Sequence, residues 1–296
     1  MKELVADLTR IGRFKTVAAY QRFGYLCGGL LILSGLFHGV VYLVDGGPWE
    51  GPVSWRKPFV FGLSFGITLV TLTWFMSFLR PRRWLGWLVL GVFAFASVGE
   101  VFLISMQKWR GVESHFNEDT RFDGMVFSLM GALVGLVALV SVAVTIWAFA
   151  KLDAPPSLAL AIRLGLVLML ASQGVGVQMI VEGGNTFGDE GALKVPHAFT
   201  LHAVQVLPAL ALLLLASSEF TERRRVEILS LGAAGYTALI ASTMAQTYAG
   251  RSPLDLGALS LALALLGLGL LLVSAAFALR GVAAQMRTPT PEPRAP

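Results

Sequence analysis

Charge is scarce in this chain: Asp, Glu, Lys and Arg make up 14% of 296 residues, where a soluble domain carries about a quarter. Most of the rest is apolar, with 55% hydrophobic residues and a mean hydropathy of +0.71. The apolar residues gather in runs of about 20, long enough to cross ~30 Å of hydrocarbon. Alternating segments of ~10 residues are absent, which excludes a transmembrane barrel. One cysteine, Cys27, rules out a disulfide within the chain, and a lone buried Cys behaves as a small hydrophobe. No lysine falls inside a predicted span, which argues against a retinal Schiff base. There is no P-loop, no dinucleotide glycine pattern, no His-Glu-x-x-His, no Cys-x-x-Cys and no nucleophile elbow. The segment before the first run is too long for a cleavable leader and lacks a small-residue cleavage site, so the first span is expected to be the insertion signal.

What is present predicts an all-α, polytopic transmembrane bundle of about eight spans. They are read at 24–44, 59–79, 84–106, 124–148, 157–180, 196–216, 226–249 and 257–279. Lys and Arg divide 16 to 7 between the two sets of flanking segments. The positive-inside rule then places both termini in the cytoplasm. The sequence pI near 9.6 reflects this asymmetry and not a nucleic-acid surface. The expected partner is the bilayer, with a membrane redox partner or a small-molecule substrate at the site described below.

The chain is expected to divide into a cytoplasmic segment 1–23, a bundle 24–280 and a disordered cytoplasmic tail 281–296 rich in proline at its end. In the first segment Leu4, Leu8, Ile11 and Phe14 recur at helical spacing. They predict either a short amphipathic helix on the anionic leaflet or a solvated arm. Cytoplasmic links such as Arg80-Pro81-Arg82-Arg83 are tight. The outer links 45–58, 107–123 and 181–195 are longer, and the last is glycine-rich and expected to be irregular. This asymmetry points to an active outer face. Lys57-Pro58 and Val195-Pro196 both open a span from outside, as a doubled four-helix unit would, but sequence identity between the halves is too low to establish one. Glycines 91, 131, 135, 165, 174, 176, 267 and 269 are expected to allow close helix packing.

Three ionisable residues fall at one depth: His38, Glu100 and His202 each lie about six residues from the outer end of a run, roughly 9 Å below the hydrocarbon surface. Such groups are expensive in a membrane and functional by default. Around them lies an outer-half polar layer: Gln178, Glu182, His197, Gln205 and Gln246, with His115 and Asn117 from the loop after the third span. His197 and His202 are five apart, about 140° around a helix, so they do not share one small ion. His202 and Gln205 share a face. His197 is expected at the rim.

Three chemistries fit. His38 and His202 could be axial ligands of haem b, with Arg56, Lys57 and Arg110 for its propionates. His38, Glu100 and His202 could hold a divalent metal ion. Alternatively, Glu100 and the histidines could move protons or bind a polar small molecule in a transporter. The competing structural reading is a polar cluster that joins helices at roughly 0.6 kcal/mol per contact.

Three stretches carry a resemblance: Trp55-Arg56-Lys57-Pro58, Arg110-Gly111 followed by Ser114-His115-Phe116-Asn117, and His197 through His202-Ala203-Val204-Gln205-Val206-Leu207-Pro208. Together they resemble a family of uncharacterised bacterial multi-pass membrane proteins, over about residues 30–216. The resemblance implies a bacterial inner-membrane location and says nothing about reaction or ligand.

Overall fold

A computed structural model describes residues 17–287. The N-terminal stripe Leu4–Phe14 and the proline-rich end of the tail lie outside the described residues. Eight helices, each long and apolar enough to cross a membrane, account for 79% of the described chain. They are α1 (Ala19–Asp45), α2 (Arg56–Leu79), α3 (Arg83–Trp109), α4 (Arg121–Ala150), α5 (Pro156–Val181), α6 (Lys194–Leu215), α7 (Glu222–Tyr248) and α8 (Ala258–Arg287). The chain is an integral membrane protein of the all-α class. Because α8 runs to Arg287, residues 281–287, expected in the tail, are helical.

The chain divides into two compact units, α1–α4 (Val17–Leu152) and α5–α8 (from Asp153). Within each, the second helix carries a proline in its first turn, Pro58 in α2 and Pro196 in α6. A first-turn N–H has no intrahelical partner, so the proline costs little there.

Part of the burial pattern recurs between the two units. Pro58, Gly62, Gly66, Leu69, Leu72 and Met76 are buried on α2, and Pro196, Thr200, Val204, Leu207, Leu210 and Leu214, each 138 positions on, are buried on α6. On α3 the buried Leu90, Ala94, Ser97, Val101, Leu103 and Gln107 match Leu229, Ala233, Tyr236, Ile240, Ser242 and Gln246 of α7 at a spacing of 139. Helices that bury one face at a period near 3.6 coincide in this way without common descent.

Glycine brings the helices of a pair together, though mostly not at the positions expected. A Cβ on Gly62 would fall 2.7 Å from Gly35 Cα, and one on Gly66 would fall 2.7 Å from Gly28 O, so α1 and α2 touch through backbone. Gly235 and Gly267 do the same for α7 and α8, and Gly165 meets Val204 Cα of α6. Of the expected set, Gly165 and Gly267 pack in this way and Gly176 touches His197. Around Gly91, Gly131, Gly135, Gly174 and Gly269, a Cβ would meet nothing within 4 Å. A close contact needs a glycine at one particular azimuth, and a tally of glycines does not give azimuth.

The link between α5 and α6 is more ordered than its glycines suggest. Thr186–Phe187 and Gly191–Ala192 form an antiparallel pair. Glu190 N donates to Gly250 O at 3.0 Å and Thr247 Oγ1 to Ala192 O at 3.3 Å, which ties the hairpin to the end of α7.

Candidate functional site

The long loops cluster the polar side chains at one end of each unit. In the first unit the framework of that end is the C-terminus of α3. Gln107-Lys108-Trp109-Arg110-Gly111 closes the helix with Gly111 at φ 75°. Gly111 N then bonds Lys108 O at 3.0 Å, and Val112 N bonds Gln107 O at 3.1 Å. This paired closure is a Schellman motif, and it needs the left-handed conformation that glycine adopts without strain. The Gln107 side chain donates to Asp123 Oδ1 at 2.9 Å and to Glu113 O at 3.4 Å, folding the loop back over the helix. Asp123 also accepts from Arg110 at 2.6 Å and from Thr120 Oγ1 at 2.5 Å, while its own N–H caps on Thr120.

His38 is held by this framework. Its Nδ1 lies 2.8 Å from Ser34 O, and a carbonyl only accepts, so Nδ1 carries the proton. Its Nε2 accepts from the Trp109 indole N–H at 3.2 Å. Both ring nitrogens are thereby engaged inside the first unit. Trp55 stacks on His38 at 6.0 Å and meets Trp109 edge-on at 4.9 Å, and donates its own N–H to Asp45 at 2.7 Å. An axial haem ligand presents a free ring lone pair to iron; His38 would have to give up the Trp109 bond to do so.

Glu100 is placed differently. Its side chain is 1% exposed, and neither carboxylate oxygen has a hydrogen-bond partner among the described residues. Its nearest ionisable neighbour is His115, whose Nε2 stands 3.6 Å from Oε1. His115 comes from the loop, is 24% exposed, and packs on Phe61 of α2 at 5.6 Å. Its Nδ1 is 2.9 Å from Ser114 Oγ, which also accepts from Lys57 Nζ at 3.5 Å. Lys57, Ser114, His115 and Glu100 therefore form a line running from the loop into the helical core.

The expected anion-holding cations have partners in the protein. Arg56 pairs with Glu50 at 3.1 Å, Arg110 with Asp123, and Lys57 with Ser114. Asn117 shapes the loop, donating to Glu113 O at 3.0 Å and accepting from Asp119 N at 3.1 Å. His38 and Glu100 share the first unit, but no ion pair or hydrogen bond joins them. His202 belongs to the second unit. Within each unit, the described residues include no group of three His, Cys, Asp or Glu side chains that could hold a metal ion.

In the second unit His197 turns to α5: its Nδ1 lies 2.9 Å from Ser172 O and 3.2 Å from Ser172 Oγ. His202 Nδ1 meets Gln205 Oε1 at 3.1 Å, as residues three apart on a helix allow. Gln246 donates to Ser252 O and Asp255 O at 2.6 and 2.5 Å and accepts from Gly257 N at 3.1 Å, so it folds its loop as Gln107 does. Tyr248 donates its hydroxyl to Gln178 at 2.5 Å. Glu182 follows the last residue of α5 and is bound there through its N–H to Gln178 O at 2.9 Å.

Trp109, Ser97 and the Gln107–Asp123 contact escape a reading by charge and depth. One signal was present: Gln-x-aromatic-x-Gly occurs as Gln107–Gly111 and again as Gln246–Gly250, each at the end of the third helix of its unit. No protein-family model, curated protein or solved structure matches the chain.

Proposed function

We propose that the chain is a proton-coupled transporter of a bacterial inner membrane, with both termini cytoplasmic, in which Glu100 of the first unit carries the proton. The observation behind this reading is a carboxylate inside a membrane helix with both oxygens unpartnered and one ionisable neighbour within 4 Å. A structural carboxylate at such depth is normally paired or hydrogen-bonded, because an unsatisfied buried charge costs several kcal/mol or roughly that order. One that is left open has a transient partner.

His115 supplies the exchange. When Nε2 takes the Glu100 proton, Nδ1–H turns to Ser114 Oγ. When Nε2 keeps its own hydrogen, the Ser114 hydroxyl donates to Nδ1. A hydroxyl serves both tautomers without moving its oxygen. Lys57 donates to Ser114 Oγ in either case, and the exposed edge of His115 connects the pair to solvent.

The test is infrared difference spectroscopy on the purified protein between two pH values. Wild type is expected to show a protonated-carboxyl band that responds to pH and shifts in deuterium oxide. Glu100→Gln removes it, and His115→Ala slows its exchange. A band that survives in Glu100→Gln would overturn the proposal.

A further inference from the structure

The two units share part of their polar framework. Three contacts occur in both. Gln107 and Gln246 fold the outer loops. Trp109 donates to His38 on the first helix of its unit, and Tyr248 donates to Gln178 on the first helix of its own. Trp55 meets Trp109 at 71°, and Phe187 meets Tyr248 at 75°. Two buried polar positions of α3 have no like counterpart in α7. Glu100 is matched by Leu239. Ser97 is matched by Tyr236, whose hydroxyl is satisfied by Phe199 O at 2.7 Å.

Ser97 shares its state with Thr73 of α2, whose hydroxyl is also buried and has no partner among the described residues. Several membrane hydroxyls in this protein bond back to their own helix: Ser105 to Val101 O, Ser141 to Val137 O, Thr145 to Ser141 O and Thr200 to Pro196 O, all within 2.6–2.7 Å. Ser97 has the same option and does not take it. Its hydroxyl is fully buried and has no partner among the described residues. Ser97 and Glu100 are three apart, hence on one face of α3 and one turn from each other. Glu100 and Ser97 together hold three unpartnered buried acceptors: Glu100 Oε1, Glu100 Oε2 and Ser97 Oγ.

Three acceptors on one face of α3, two of them on a carboxylate, match in number and charge the three N–H donors of a primary ammonium group. We infer that the first unit binds a small primary amine, its –NH₃⁺ seated between Glu100 and Ser97. The inference rests on the reading of Glu100 as the proton carrier and names the substrate class of that same site. Binding balances as an exchange: the protonated carboxyl and R–NH₃⁺ give the carboxylate–ammonium pair and one free proton, which leaves through His115. Other charged groups at this end have partners of their own. Arg110 pairs with Asp123 of α4, Arg56 with Glu50, Asp45 of α1 accepts from Trp55, Lys108 lies over the Trp55 ring, and Lys57 of α2 donates to Ser114 near Glu113.

The test uses the purified full-length protein with methylammonium, tetramethylammonium and sodium chlorides at equal ionic strength and pH. The readouts are thermal midpoint and the Glu100 carboxyl band. Methylammonium is expected to raise the midpoint saturably and to remove the band. Ser97→Ala raises the half-saturating concentration at least tenfold, Ser97→Thr restores it, and Glu100→Gln abolishes the response; midpoints without amine verify that each variant folds. Equal effects from tetramethylammonium, which has no N–H, or from sodium would overturn the donor match. So would an unaltered methylammonium response in Glu100→Gln. A wild-type protein that shows the carboxyl band but ignores methylammonium overturns the amine and leaves the proton reading standing. Absence of the band in wild type defeats the proton reading itself.

Discussion

The bond between Trp109 and His38 has a counterpart between Tyr248 and Gln178, and that equivalence makes a quantitative prediction. If His38 is the acceptor of a latch, glutamine should replace it, since glutamine does the same work at position 178. Trp109→Phe removes the donor. The net value of such a bond is about 0.5–1.5 kcal/mol in general and averages ~0.6 kcal/mol between membrane helices. The low end applies here, because Trp109 is 59% exposed and its indole finds another acceptor when His38 is lost. A double-mutant cycle of Trp109→Phe with His38→Leu, read by reversible unfolding in mixed detergent, should return a coupling of roughly 0.5 kcal/mol. His38→Gln should keep most of the wild-type stability. A coupling indistinguishable from zero would refute the latch. So would an absorbing cofactor in protein from haem-replete cells that disappears with His38→Gln, which would return His38 to the role of ligand.

Two further outcomes follow from the packing and the charge pattern. Gly62→Leu forces side-chain atoms into the α1 backbone at Gly35 and should destabilise the protein by about 1–3 kcal/mol, whereas Gly131→Leu, with open space around it, should change the thermal midpoint little. Equal effects at the two sites would refute the assignment of the α1–α2 contact. The topology is testable because Cys27 is the one native cysteine. After Cys27→Ala, a cysteine at Asp119 should react in intact cells with a membrane-impermeant thiol reagent, and one at Asp153 should react only after lysis. The reverse pattern would invert the proposed orientation.

Fold class and span number were legible because both follow from run length and composition, which leave little freedom in a 30 Å slab. The site was legible only as a depth. His38, Glu100 and His202 are read at one stratum of their runs, but hydropathy carries no azimuth. His38 proves to be tied to Trp109, and Glu100 to face His115 from the loop. Five of the eight expected glycines failed for the same reason: Gly62 and Gly131 look alike in a hydropathy profile, and only one lies on the contact line. Likeness between the two units was likewise illegible, because lipid-facing positions tolerate any apolar residue; it rests on the Gln-x-aromatic-x-Gly closures and the bonds that Gln107 and Gln246 make.

Buried polar groups in the two units divide by whether they have a partner. Gln107 and Gln246 each satisfy the backbone of their own loop. Ser141, Thr200 and Ser242, also buried, each bond a carbonyl, so a structural contact is sufficient reason for them. Neither Glu100 oxygen nor the Ser97 hydroxyl has a hydrogen-bond partner among the described residues. In a membrane interior an unmatched carboxylate is among the most expensive groups a helix carries, and that cost is the physical ground for the proton and the ligand proposed at Glu100.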